Sequence, residues 1–197
     1  MQTAVGCCRI LPDAWGGAEM FISEITGSVP EDARSPLETK VYGELTRLGI
    51  EFERVDNDSI STMEECAEVG EVLGTDICKT ILACTRNRSE YYLIIMPGDK
   101  RFDTKLVSHA VGSSRLSFAS AEDMEELLGT APGNASPVSV VNDAGGKVKA
   151  VVDKELADAE WIACNVGVNT THIRMKSSDL IGKYMPAQGH EPMIIEL

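Results

Sequence analysis

Histidine is scarce in this chain. Only His109, His172 and His190 occur, and none stands at metal-ligand spacing from acids, thiols or another histidine. Zinc hydrolase motifs of the HExxH kind are therefore missing. Paired thiols are missing too. The six cysteines lie at 7, 8, 66, 78, 84 and 164, with no CxxC pair and no histidine at finger spacing, which argues against structural zinc and against a small disulfide scaffold. Neither GxGxxG nor GxxxxGK[ST] appears, so dinucleotide folds and P-loops find no support. A GxSxG nucleophile elbow is also absent. No apolar run approaches the ~18 residues of a membrane span. The first twenty residues hold a single basic side chain, Arg9, and Pro12, Asp13 and Glu19 interrupt them, so no secretory signal is visible. These absences predict a cytoplasmic protein with reduced thiols, no membrane contact, no metal and no cofactor.

What is present suits one globular domain. The chain has 197 residues, 43% hydrophobic and 25% charged, enough to bury a core without staples. Its net charge of −13 argues against general nucleic-acid binding. The distribution softens that objection. Residues 76–120 hold 7 basic and 4 acidic side chains, the basic ones being Lys79, Arg86, Arg88, Lys100, Arg101, Lys105 and Arg115. Such a block is either a solvated face or a local dock for the end of a polyanion.

Residues 1–34 have no sustained period and read as an N-terminal tail, with the domain complete without residues 1–19 and Met20 an alternative start. From Ser35 the pattern changes. Ser35-Pro36-Leu37-Glu38 is a capping box with proline at the first helical position, and Leu37, Val41, Leu45 and Leu48 follow at helical spacing up to Gly49. Strands are expected over 50–55, 77–84, 90–96, 116–119, 138–142, 148–153, 161–165 and 172–175. Further helices are expected over 61–72, 103–111, 124–128 after Ser120, and 177–183 after a Ser-Ser-Asp cap. Tight turns join most strands, Ala144-Gly145-Gly146 among them. The predicted fold class is α/β of the α+β kind: one domain over 35–186, with a mixed, largely antiparallel central sheet and flanking helices, and a short tail over 187–197.

Four local features carry chemical interest. Gly129 to Pro137 is a loop stiffened by glycine and proline, able to bring several backbone N–H groups close to a ligand, or else a plain helix-to-strand connection. Lys79 is the one cation in the apolar run Ile77–Leu82, so it either snorkels from the sheet edge or lines a cleft. Asn142-Asp143 before Ala-Gly-Gly is ordinary turn chemistry or a site. Asn165, Asn169 and Thr170 around Gly167 form either a turn or a polar pocket wall. Cys164 is either a nucleophile or, as is commoner, an inert buried thiol.

Taken in order, these stretches resemble a known family. Thr62–Cys66, Leu73–Thr80, Met96–Lys100, Arg115–Ser120, Pro132–Pro137, Val141–Asp143 and Val168–Thr171 together are similar to the YbaK/prolyl-tRNA-synthetase-associated editing domain, nearest its free-standing alanyl-tRNA(Pro) deacylase branch. The resemblance spans some 150 residues. It implies hydrolysis of a mischarged aminoacyl-tRNA at its acceptor end, most simply Ala-tRNA(Pro), with only transient contact to a synthetase. Lys79 matches the family's pocket lysine. Gly133 to Pro137 matches its GxxxP loop, which cradles the aminoacyl carbonyl. The implied catalytic set is Lys79, Gly133, Asn134 and Ala135. The implied substrate-binding set is Thr80, Ser136, Pro137, Asn142, Asp143, Asn165 and Asn169. Water would attack the ester, assisted by the terminal ribose hydroxyl. Two positions depart from the pattern: Thr80 stands where the family commonly has asparagine, and Asn165-Val166 where it usually has His-Pro.

Two other readings compete. One is an editing-like domain that binds an aminoacyl end or a protein partner without hydrolysis. The other is a thiol hydrolase using Cys164.

Overall fold

The computed structural model describes residues 20–197. The reading of residues 1–19 as dispensable lies outside them.

The capping grammar is realised. Helix α1 (Pro36–Arg47) starts at Ser35, whose hydroxyl accepts from the Glu38 N–H while the Glu38 carboxylate accepts from the Ser35 N–H. Helix α2 (Met63–Leu73) repeats this with Thr62 and Glu65, and ends on Gly74 in the left-handed conformation. Each such cap contributes about 1 kcal/mol. After α1 comes β1 (Phe52–Asp56), and after α2 come β2 (Lys79–Thr85) and β3 (Tyr91–Met96). Then follow α3 (Thr104–Ala110), β4 (Leu116–Phe118), α4 (Ala121–Leu128), β5 (Val148–Asp153), α5 (Lys154–Asp158), β6 (Trp161–Asn165), β7 (Thr171–Lys176) and β8 (Met193–Ile195).

The mixed α/β architecture expected from the sequence is present, but its strands divide into two sheets. β1-β7-β6 is antiparallel. β4-β2-β3-β5-β8 is antiparallel at its β4-β2-β3 side and parallel at β3-β5-β8. A parallel bridge between Ile77 and Ala163 joins the two, with the Cys78 N–H donating to the Ala163 carbonyl at 2.8 Å. Strand alternation then sorts side chains into three layers. Leu93 and Ile95 of β3, Ala150 and Val152 of β5, and Ile162 and Ile173 face the central core with α1, α4 and the closing helical segment. Val55 and Ala163 face the other way, under α2, with Val69, Leu73 and Ile77. Tyr92, Ile94 and Met96 point to the outer face of the larger sheet, where Val107 of α3 covers them.

Three expectations fail locally. Residues 138–142 are not a strand: Pro137–Asn142 is a 3-10 helix. The β-branched run suggested extension, but Pro137 at its first turn lacks an N–H, and Ser136 caps the turn by accepting from the Val138 N–H at 3.4 Å. There is accordingly no hairpin around Ala144–Gly146, and β5 finds parallel partners instead. Nor does the Ser-Ser-Asp run cap the last helix. That segment starts after Lys176 without a side-chain cap and continues through a π-helical turn (Leu180–Tyr184) to Met185–Ala187.

The segments read as tails make contacts. Ile22 and Thr26 bridge to Asn57 and Arg54, and β8 extends the larger sheet. Arg34 clamps Asp56 of β1 through two hydrogen bonds of 2.8 and 3.0 Å. Arg54 and Thr171 add further hydrogen bonds to the same carboxylate. Among the described residues, no helix is long and apolar enough to cross a membrane.

Candidate functional site

The seam between the two sheets opens into a cleft of about 340 Å³. One wall is the start of α2, with Ser61, Thr62 and Cys66. The floor is Ile77–Thr80, where β2 leaves the inter-sheet bridge. The loop Pro132–Ala135 forms the rim, and Asn165, Asn169 and His172 close the far side. A larger hollow of about 720 Å³ lies elsewhere, between residues 25–29, the end of α1 and Trp161. It gathers none of the expected site residues.

Seven of the residues singled out from the sequence meet here: Lys79, Thr80, Gly133, Asn134, Ala135, Asn165 and Asn169. Lys79 is half-buried, and its ammonium donates to the Lys100 carbonyl at 2.8 Å. The turn carrying that carbonyl is itself tied down. Lys100 pairs with the fully buried Asp153 at 2.8 Å, and that hydrogen bond is the main reason its ammonium is held above the ordinary lysine range. Lysine at the sheet rim is thus positioned by a fixed backbone acceptor, with one bond made and donors to spare.

The rim loop is built for close approach. Gly133 has φ +92°, a conformation that favours glycine, and nothing lies within 4 Å of where its Cβ would stand. The Asn134 N–H is spent on the Ala131 carbonyl at 3.0 Å, closing the turn. Among the described residues, the N–H groups of Gly133 and Ala135 have no acceptor. The loop is anchored from behind by Ser136, fully buried, whose hydroxyl donates to the Asn165 carbonyl at 2.5 Å. Asn165 returns the link, its side-chain amide nitrogen donating to the Ala135 carbonyl at 3.3 Å while its side-chain Oδ1 accepts from the Gly167 N–H at 2.7 Å.

Other expected site residues lie outside the cleft. Ser136 and Pro137 sit behind the loop as anchor and helix start. Asn142 joins elements, accepting from the Lys40 ammonium at 2.7 Å and donating to the Leu128 carbonyl at 3.0 Å. Asp143 is buried and accepts from the Val148 N–H at 2.7 Å. Both brace the approach to β5. Asn169 lines the cleft, but its amide is occupied by Ser59 and the Ile60 carbonyl. Cys164 is buried in the central core, and burial, then neighbouring Cys78, push its thiol well above the ordinary range. A thiolate nucleophile there is excluded by its surroundings.

Sequence reasoning missed His172. It lies directly opposite Asn165 across β6–β7, on the same face, and is 2% exposed. Its Nδ1 is 2.9 Å from the Asn57 side-chain oxygen. The Asn57 amide nitrogen donates to the Asp58 and Asn169 carbonyls, which fixes the flip and makes His172 Nδ1 the donor. Nε2 then carries the lone pair and, among the described residues, has no partner. Burial lowers the imidazole pKa to about 4, so the ring is neutral at physiological pH. The only sequence signal was a histidine alternating with Ile173 and Met175 in a strand.

Comparison with known proteins places this cleft in context. The family model described as "Aminoacyl-tRNA editing domain" matches residues 57–182. The prolyl-tRNA editing protein ProX of Acetoanaerobium sticklandii is 28% identical over 158 residues, covering 80% of this chain and 95% of that protein. Prolyl-tRNA synthetase associated domain-containing protein 1 of Mus musculus is 26% identical over 167 residues, covering 83% of this chain and 98% of that one. A crystal structure of a candidate trans-editing enzyme for prolyl tRNA synthetase superposes with a TM-score of 0.62 at 20% identity, over 84% of this chain and 98% of that one.

Proposed function

This chain belongs to the aminoacyl-tRNA editing domain family, and from that premise we propose that it is a free-standing deacylase that clears mischarged aminoacyl-tRNA, with Ala-tRNA(Pro) as the substrate. The observation that carries the reading is the convergence of Lys79, the Gly133–Ala135 backbone, Asn165 and His172 on one small cleft. A site of action in the cytoplasm fits Cys66, Cys78, Cys84 and Cys164, all free thiols.

The chemistry asks little of protein acids and bases. Water adds to the ester carbonyl, the bond from that carbon to the ribose oxygen breaks, and the water's proton ends on the ribose. The terminal ribose hydroxyl beside the ester relays that proton. The N–H groups of Gly133 and Ala135 are the donors left to hold the developing oxyanion, a role typically worth ~10²–10³ in rate per donor. Lys79, pinned by Lys100, adds positive charge at the same rim. His172 Nε2 accepts a hydrogen bond from the attacking water and orients it. A base of pKa about 4 holds a water better than it deprotonates one. A cleft of about 340 Å³ suits a small side chain, which a synthetic site cannot reject by size alone.

The test is release of amino acid by purified protein from Ala-tRNA(Pro), Cys-tRNA(Pro) and Pro-tRNA(Pro). Selective release of alanine, lost in Lys79→Ala, is the expected result. No release from any of the three, with charged tRNA still bound, would make the chain a binding domain instead.

A further inference from the structure

At the far end of β2 from the cleft lies a groove of about 640 Å³, lined by Arg86, Thr104, Arg115 and Phe118 among others. Phe118 is 66% exposed, the most exposed large apolar side chain among the described residues. Its ring rests on that of Phe102 at 5.5 Å, tilted by 56°. A phenylalanine held out from a three-residue edge strand by a second ring costs solvation and gains no core, so packing does not account for it.

The charges around it are as unusual. Among the described residues most cations are paired: Arg34, Arg47, Arg54, Arg88, Lys100, Lys147, Lys149, Lys154, Arg174 and Lys183 all meet carboxylates. Arg86 and Arg115 in the groove, and Arg101 and Lys105 beside Phe102, have neither an ion pair nor a side-chain hydrogen bond among the described residues. The carboxylate between them, Asp103, accepts from the Lys105 and Leu106 N–H groups at the start of α3. With a screening length of about 8 Å at physiological salt, the remote acidic surface contributes little here, and the local field is positive.

We infer that this groove binds the single-stranded RNA that leads into the cleft, with a base stacked on Phe118 and phosphates held by Arg86 and Arg115. Exposed aromatic faces combined with unpaired guanidinium groups are the recognition chemistry of single-stranded nucleic acid, and arginine forks match phosphate. Protein interfaces also use phenylalanine and arginine, but they deplete charge at their core, whereas here the exposed ring stands among unpaired cations. The placement also fits. Phe118 pairs with Ala83, four residues along β2 from Lys79, or about 13 Å at ~3.3 Å per residue. Alternation puts both on the same side of the sheet. The nucleotides preceding a terminal ribose held in the cleft can therefore reach the groove. The inference rests on the deacylase reading for its direction, not for the groove's chemistry.

The experiment uses the full chain and a fluorescent single-stranded oligoribonucleotide ending in CCA, titrated over a range of salt. Phe118→Ala should weaken binding tenfold or more. Arg86→Gln and Arg115→Gln should each flatten the log–log salt dependence by about 0.7. All three positions are exposed, so circular dichroism and melting should not change. In turnover with Ala-tRNA(Pro), the same variants should raise KM and leave kcat intact. Absence of oligonucleotide binding by the wild type, or equal binding by the variants, would overturn the inference. So would variants that keep RNA binding but lose association with purified prolyl-tRNA synthetase, which would make the groove a protein surface. Wild-type oligonucleotide binding without hydrolysis of any charged tRNA would overturn the deacylase reading and leave the groove standing.

Discussion

Asn165 of β6 and His172 of β7 stand directly opposite each other, and both side chains line the cleft. Asn165 is committed to the rim loop through the Ala135 carbonyl and to the β6–β7 turn through the Gly167 N–H. His172 is committed only at Nδ1, to Asn57. On the proposed mechanism the pair divides two tasks, Asn165 holding the loop and His172 holding the attacking water. His172→Leu should lower kcat at least tenfold, whereas His172→Gln, which keeps an acceptor near the Nε2 position, should retain most of it. Single-turnover deacylation of the two variants checks this. Equal loss in both would mean that the ring matters for packing and not for its lone pair.

The same ring sets a pH dependence. Its folded pKa of about 4 lies below the unfolded value near 6.5. Above ~6.5 both states are neutral and the group is silent. As pH falls from there toward 4, the unfolded chain takes up a proton that the folded chain refuses, so stability declines. The loss reaches on the order of 3 kcal/mol below pH 4. Urea melts at pH 7 and pH 4.5 should show a drop for wild type that is smaller in His172→Gln. Asp56 works in a lower window. Burial raises its pKa, but hydrogen bonds from Arg34, Arg54 and Thr171 outweigh that and leave it below the usual carboxylate range. Its contribution is present above the unfolded value near 3.9 and fades only as pH falls through the lower folded one.

Much of this was legible in the residues. The capping box at Ser35 announced α1, the helix expected over 61–72 is α2, and the apolar runs of β2, β3, β5 and β6 stand within two residues of their expected places. The cleft was legible where chemistry is local, at Lys79 and in the glycine-proline loop. It was not legible where a residue acts through long-range pairing. His172 meets Asn57 115 positions away, and no spacing rule connects them. Asn142 and Asp143, turn residues by their own chemistry and site residues only by resemblance, stand outside the cleft, bonded to the Leu128 carbonyl and the Val148 N–H.

The rim loop should respond differently to changes in front and behind. Gly133→Ala adds a methyl that touches nothing, so its cost is backbone strain alone, about 1 kcal/mol, with the N–H groups at 133 and 135 turned from their aim. Ser136→Ala removes a buried bond of 2.5 Å and leaves the Asn165 carbonyl without that donor, costing about 1–3 kcal/mol. Gly133→Ala should therefore lose more kcat per degree of Tm than Ser136→Ala. Calorimetry and deacylation on both variants measure that ratio. The reverse order would place the chemistry away from residues 133–135.

Lys79 and Lys100 test the proposal that one charge acts on the ester and the other only holds the turn. The Lys79 ammonium is fixed by the Lys100 carbonyl, and the Lys100 ammonium in turn rests on buried Asp153. Lys100→Met removes the charge paired with a carboxylate that is 1% exposed, which should cost on the order of 2–4 kcal/mol. It does not remove the carbonyl, because that belongs to the backbone. The turn over residues 97–100 then loses its tether and Lys79 is held less firmly. Lys79→Met deletes a half-buried cation whose one bond is to a backbone oxygen, and should cost less than 1 kcal/mol. The two variants should thus separate. Lys100→Met should melt markedly earlier with part of its kcat retained, and Lys79→Met should melt near the wild type with kcat lowered by a hundredfold or more. If both lose stability and activity in the same proportion, Lys79 is a strut of the β2 rim, and the positive charge that stabilises the ester oxyanion must come from elsewhere.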